Sequence, residues 1–231
     1  MLPSELTIRK QRAKIVFKEL QKLVPDAKIA LNFNNNFQLL VAVILSAQCT
    51  DKQVNKVTEK LFSLYPNIKN YLNISQEELE NLIKSTGFYK NKAKNILAAA
   101  KIVSEKYKGE IPKTINEMIK IPGVGRKTAN VVLGNAYGIV EGIAVDTHVI
   151  RLSRQFGLSN HTDPDKIEQD LMQIIPKKNW YKFTYMMIDY GRNFSNARNK
   201  NFKDPISIEL HSATFKTAYP AMRDCVAYFE F

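Results

Sequence analysis

An all-α fold is predicted by three features of the sequence. Apolar residues recur at spacings of three and four along most of its length, which is the period of a helix packed on one face. Capping residues and Gly or Pro stops punctuate these stretches at helix-like intervals. Neither an alternating apolar–polar strand nor a hairpin signal interrupts them, and no repeat at a fixed period suggests a solenoid.

The elements follow in order. A first helix is expected from about Ser4 to Val24, stopped by Pro25, and an Asn-rich loop from Asn32 to Asn36 follows it. The run Phe37 to Ala47 is too apolar for a surface helix. Val54, Val57, Leu61 and Leu64 mark the next helix, ended by Pro66. Ser75 and Glu78 form a capping box that opens a helix ending at Gly87, a left-handed cap. Asn91 to Tyr107 carries Ile96, Ala100, Val103 and Tyr107 on one stripe. Thr114 and Glu117 form a second capping box before Ile121-Pro122-Gly123. Ala129, Val132, Leu133, Ala136 and Tyr137 define a helix closed at Gly138. Asp146 caps Thr147 to Phe156. Asp163-Pro164 opens a helix with Ile167, Leu171, Ile174 and Ile175 inward, and Trp180 to Tyr190 forms the last.

The chain of 231 residues is 45% hydrophobic, enough for one large unit or two lobes. A formal net charge of +12 favours a polyanionic partner, either nucleic acid or a membrane surface. No apolar run approaches the about 20 residues that span a bilayer, and the N-terminus lacks the apolar core of a signal peptide. Cys49 and Cys225 make neither a disulfide framework nor a metal-ligand spacing, and Cys49 is expected to be a buried thiol. A reducing cytoplasmic location fits, with nucleoid association if the source is prokaryotic.

The most informative segment is Ile121-Pro122-Gly123-Val124-Gly125-Arg126-Lys127-Thr128-Ala129. Gly123 and Gly125 permit positive backbone angles and leave no side chain in the way. The helix that follows starts with free N–H groups at the positive end of its dipole, where a phosphate can sit without sequence being read. Val124 pins the turn to the core. A tight helix–helix connection is the plainer reading of Gly-x-Gly, but Arg-Lys-Thr-Ala after it makes this the helix-hairpin-helix pattern of proteins that grip the DNA backbone.

Lys127 and Asp146 are the candidate reactive pair. The helix dipole and Arg126 both disfavour the charged form of Lys127. A neutral amine can attack the anomeric carbon of a nucleotide, displace the base and, through the Schiff base, let the strand break by elimination. The Asp146 carboxylate can stabilise positive charge on the sugar and move protons. A phosphate-binding lysine and a helix-capping aspartate are the alternatives, and capping is compatible with catalysis.

The chain resembles the endonuclease III family of helix-hairpin-helix DNA glycosylases over roughly residues 32–192. The resemblance rests on Leu45-Ser46-Ala47-Gln48-Cys49-Thr50-Asp51, Gly87-Phe88-Tyr89-Lys90-Asn91-Lys92-Ala93, the hairpin with Lys127, Val145-Asp146-Thr147-His148 and Gly191-Arg192, in that order. It implies two helical lobes with a DNA cleft between them. A six-helix lobe would span residues 30–137, with the hairpin at about 115–137, and residues 1–29 with 138–231 would form the other. It also implies removal of oxidised or ring-saturated pyrimidines from double-stranded DNA by a monomeric enzyme, followed by AP lyase cleavage. Lys127 matches the family's nucleophile and Asp146 its carboxylate. Gln48 matches the residue that fills the gap left by the flipped base, and Phe88 a second wedge on the opposite strand. Gly123, Val124, Gly125, Arg126, Thr128 and Arg192 match DNA-contacting positions. Relatives that excise adenine opposite oxidised guanine lack the lysine, so the resemblance favours the bifunctional reading. The other readings are a glycosylase of the same superfamily for mismatched thymine or a pyrimidine dimer, and a DNA-binding relative without chemistry.

The sequence departs from the family at its four-iron, four-sulfur cluster, held on Cys-x6-Cys-x2-Cys-x5-Cys after the Gly-Arg pair. Those positions carry Ser195, Phe202, Pro205 and His211. None supplies thiolate, so neither a cluster nor a zinc site is expected and no cofactor is anticipated. The apolar end, with Ala221, Val226, Tyr228, Phe229 and Phe231, is expected to pack back in place of the cluster loop. Basic residues from Lys177 to Lys203, among them Lys178, Lys182, Arg198 and Lys200, keep backbone contact plausible. His148 and His161 are assigned supporting roles.

Overall fold

The computed structural model of the chain describes residues 4–196 and 203–218. Most helices begin where a short polar side chain accepts from one of the free N–H groups of the first turn. Ser4 accepts from Thr7 at 3.3 Å and opens α1 (Glu5–Leu23). Asn35 accepts from Gln38 at 2.9 Å and opens α2 (Asn36–Leu45). Thr50 does the same for α3 (Asp51–Leu64). The single turn α4 (Ile68–Tyr71) was not expected from periodicity; the Asn70 side chain accepts from the Asn67 N–H at 2.9 Å to start it.

Ser75 opens α5 (Gln76–Ile83), which tightens into a 3-10 turn over Lys84–Thr86 before Gly87. Its expected reciprocal capping arm is diverted, since the Glu78 carboxylate takes the Tyr65 hydroxyl instead. Then come α6 (Tyr89–Tyr107), the short α7 (Ile115–Met118) after Thr114, and α8 (Arg126–Tyr137). Asp146 and Asp163 cap α9 (Thr147–Gln155) and α10 (Pro164–Ile174). A 3-10 turn over Lys177–Asn179 leads into α11 (Trp180–Asn193). A twelfth helix, α12 (Pro205–Ala218), follows where no helix was expected. Among the described residues there is no strand, and no helix is long and apolar enough to cross a membrane.

The chain divides into two compact units, residues 29–144 and residues 1–28 with 145–231. In the central unit, every residue of α2 from Phe37 to Leu45 is buried. Such a helix needs cover on all sides, and α8 and α6 supply much of it through Ala129, Val132, Leu133, Ile96, Ala100 and Val103. The boundary falls after Ala144 rather than after Tyr137. Gly138 caps α8, the Ile139 N–H bonds the Leu133 carbonyl at 3.2 Å, and the Ile139 side chain packs on the central core.

In the terminal unit, α1 turns Val16 and Leu20 inward and packs against α10, α11 and α12. α11 contributes Phe183, Met186, Met187 and Tyr190, and Tyr190 meets Phe156 edge-on at 6.0 Å.

Candidate active site

The hairpin is built by α7, a turn and α8. The Val124 N–H bonds the Ile121 carbonyl at 3.1 Å, and both side chains are buried, which fastens the turn to the central core. Gly123 has φ +80°, and a Cβ there would meet the Asn95 Cβ at 3.0 Å, so conformation and space both demand glycine. Gly125 differs from expectation. As N-cap of α8 it is extended, with φ −91°, because that is the backbone an N-cap adopts. A Cβ on Gly125 would meet nothing within 4 Å. The open space lies before the first N–H groups of α8, where Arg126 and Lys127 are exposed and Thr128 is half-buried.

Two further loops of the central unit carry Gln48 and Phe88. Both residues are in the left-handed region, with φ of 53° and 47°. Gly87 precedes Phe88 with φ 70° and ψ 157°, a region almost reserved to glycine and not the left-handed cap anticipated. Phe88 is 68% exposed, extreme for a large apolar ring, and Gln48 is exposed too. Between their loops lies Lys92, only 5% exposed. Its Nζ donates to the carbonyls of Leu45 and Thr86, each at 2.8 Å. Burial lowers its pKa below the usual lysine value, and the nearby Cys49 partly offsets this. Gln53 Nε2 donates to Ser85 Oγ at 2.7 Å and adds an outer link between the same segments. Cys49 is half-buried against the core rather than fully buried, since it sits in the loop that leaves α2.

Asp146 belongs to the terminal unit. Its Oδ1 accepts from the Val149 N–H at 2.9 Å, which is the expected cap. His148 packs its ring on Gly191, and Arg192 is exposed in the last turn of α11. Arg151, one turn further along α9, donates to Ser195 Oγ at 3.1 Å and to the Ser195 carbonyl. Burial lowers the Arg151 pKa, opposed by the carboxylates of Asp204 and Asp146. Asp204 is buried and accepts from Gln155 Nε2 at 2.6 Å, from Ser207 Oγ at 2.8 Å and from the Tyr190 hydroxyl. Pro205 is the first residue of α12, and His211 Nδ1 lies 2.6 Å from the Ser207 carbonyl. Phe202, Arg198, Lys200, Cys225 and the apolar residues from Ala221 to Phe231 lie outside the described residues. Among the described residues no group of His, Cys, Asp and Glu is arranged to hold a metal.

The HhH-GPD superfamily of base excision DNA repair proteins matches residues 41–177, more than half of the chain. Endonuclease III of Synechocystis sp. is 48% identical over 194 residues, covering 84% of this chain and 89% of that protein. This chain belongs to the endonuclease III family. Endonuclease III of Bacillus subtilis is 46% identical over 178 residues, covering 77% of this chain and 81% of that one. A solved non-covalent endonuclease III–DNA complex superposes with a TM-score of 0.83 at 43% identity, over 91% of this chain and 95% of that one. A thermostable thymine-DNA glycosylase, at 19% identity and a TM-score of 0.72, shares the fold.

Three polar residues of this family member have no role assigned from sequence: Lys92, which stands there only within the Gly87 to Ala93 run, Arg151 and Asp204. The one signal available was for Lys92. The apolar stripe of Ile96, Ala100 and Val103, carried one turn back, lands on it, so a charge stands at a core position.

Proposed function

We propose that this endonuclease III family member is a base excision repair enzyme, a DNA glycosylase with AP lyase activity acting on oxidised or ring-saturated pyrimidines in double-stranded DNA. It works on cytoplasmic or nucleoid DNA. The observation that carries this reading is the exposed Lys127, one residue into α8 and directly after the open space at Gly125. A phosphate held by the first N–H groups of α8 brings a flipped nucleotide beside that amine.

The Lys127 amine attacks C1′, and its new C–N bond replaces the glycosidic bond, whose electron pair and a proton leave with the base. The Schiff base that forms when the sugar ring opens makes the C2′ proton acidic. Its removal expels the 3′ phosphate. Asp146 stabilises positive charge on the sugar and relays protons. The cap occupies its Oδ1, leaving Oδ2 for this task. Gln48 and Phe88 occupy the space the flipped base vacates, Arg192 joins the hairpin in contacting the backbone, and the excess of positive charge draws the duplex in.

The family's iron–sulfur cluster forms no part of this reading. Ser195 Oγ is engaged by Arg151, Pro205 has no donor, and His211 faces the Ser207 carbonyl. A four-iron cluster requires thiolates. Elemental analysis of the purified protein for iron and sulfide tests this, and stoichiometric iron would refute it.

Borohydride reduction of the protein on DNA with an abasic site tests the chemistry. A covalent adduct is expected with the natural chain and none with Lys127→Ala. An adduct of equal yield in Lys127→Ala would move the nucleophile elsewhere.

A further inference from the structure

We infer that Lys92 is a positioning residue whose buried ammonium holds the Gln48 and Phe88 loops in one fixed arrangement for entry into the DNA stack; this rests on the wedge role proposed above for those two side chains. Lys92 bridges parts of the chain far apart in sequence. The Leu45 carbonyl belongs to the last residue of α2, three positions before Gln48. The Thr86 carbonyl ends the 3-10 turn, two positions before Phe88. Terminal helical carbonyls lack intrahelical partners and carry the negative end of the helix dipole. One cation satisfies both and ties one loop to the other.

Packing alone does not explain a lysine here. A buried charge is costly unless paired, and an apolar side chain of similar volume fills such a site at less cost. The neighbouring positions on the same stripe, Ile96, Ala100 and Val103, are apolar. Nor does Nζ reach DNA, since the residue is 5% exposed and the ammonium is spent on the two carbonyls.

What the lysine adds is a link between two strained loops. Gln48 and Phe88 both hold positive φ, which non-glycine residues keep only where their surroundings over-determine it. Among the described non-glycine residues the one other with positive φ is Lys108, which ends a helix. A plug that enters a base stack loses efficiency with small errors of placement. The Gln53–Ser85 hydrogen bond supports the same register from the outside.

The test is a mutant cycle in the full chain, with Lys92→Met, the pair Gln48→Gly and Phe88→Gly, and all three together. Single-turnover excision of a ring-saturated pyrimidine from duplex DNA is measured for each, beside thermal melting. Lys92→Met is expected to slow excision by about tenfold or more. In the chain with both glycines the same substitution changes the rate within about twofold, because the side chains through which Lys92 acts are gone. An equal penalty in both backgrounds would overturn the inference, as would no penalty in either. If the double glycine variant excises like the natural chain, the wedge role itself has failed, a result reached without touching Lys92. Should Lys92→Met not fold, Lys92→Gln, which keeps an amide donor, is carried through the same cycle and judged by the same non-additivity.

Discussion

A methyl group placed on Gly191 would lie 2.5 Å from Nδ1 of His148. α11 and α9 meet at this point, and only glycine on α11 leaves room for the imidazole. Gly191→Ala is therefore expected to displace a ring two residues from Asp146. The cost is about 1–3 kcal/mol, typical of an overpacked site. Thermal melting of Gly191→Ala alone and with His148→Ala checks this. The double variant recovers most of the lost stability, because removing the ring reopens the space. Borohydride trapping should fall in Gly191→Ala as the cap at Asp146 shifts.

The left-handed conformations of Gln48 and Phe88 separate stability from activity. That conformation costs a non-glycine residue about 1–2 kcal/mol, while glycine gains unfolded-state entropy worth about 0.5–1 kcal/mol. Gln48→Gly and Phe88→Gly are thus expected to melt close to the natural chain. Excision from duplex DNA is expected to drop sharply in both, since each loses the side chain proposed above to stand in for a flipped base. Loss of activity in step with loss of stability would contradict this.

The polar cluster around Asp204 gives a pH signature. Burial raises the Tyr190 phenol above its ordinary value of 10.0, and the hydrogen bond to Asp204 raises it further, against the Ile206 N–H and Arg151. The folded chain then keeps a proton that the unfolded chain releases above pH 10. Its stabilising contribution is complete below that pH and is lost as pH rises from there toward the folded value. The steepest loss is about 1.4 kcal/mol per pH unit. Urea melts across this range should show a shallower slope for Tyr190→Phe. Asp204→Ala leaves Gln155, Ser207 and Tyr190 without their shared acceptor and is expected to cost about 3 kcal/mol and to loosen α12.

Local rules made much of this molecule readable in its sequence. The unbroken apolar run of α2 announced a helix buried on every side, and Ser75, Thr114, Asp146 and Asp163 all cap helices as their residue types require. Gly125 misled because Gly-x-Gly does not say which glycine uses positive φ, and helix geometry makes the second an extended N-cap. The turn α4 and the helix α12 were missed for different reasons. Four residues are too few for periodicity, and the start of α12, where Ile206 and Leu210 are buried, depends on Asp204 meeting Tyr190 and Gln155. Such partners are distant in sequence, as is the Leu45 carbonyl that Lys92 reaches. The hairpin that carries Lys127 was legible because its motif is contiguous.

Gly125 offers the sharpest test of the hairpin as a phosphate site, through comparison with Gly123. A Cβ on Gly125 meets nothing and its φ of −91° suits any residue, so Gly125→Ala should fold normally. Alanine is a poorer N-cap than glycine, a loss of about 0.5 kcal/mol. Gly123→Ala instead meets strained backbone and Asn95 together, and is expected to destabilise by about 1–3 kcal/mol. For DNA the relation reverses in interest. The methyl of Gly125→Ala stands in the space before the first N–H groups of α8, where the proposed phosphate comes closest. Affinity for undamaged duplex should fall while the melting temperature holds. Binding titrations over a range of salt measure it, and the dependence of affinity on salt should be shallower than in the natural chain because a backbone contact is lost. Unchanged affinity with the same salt slope would mean that the phosphate is gripped elsewhere and that Gly125 serves only the turn.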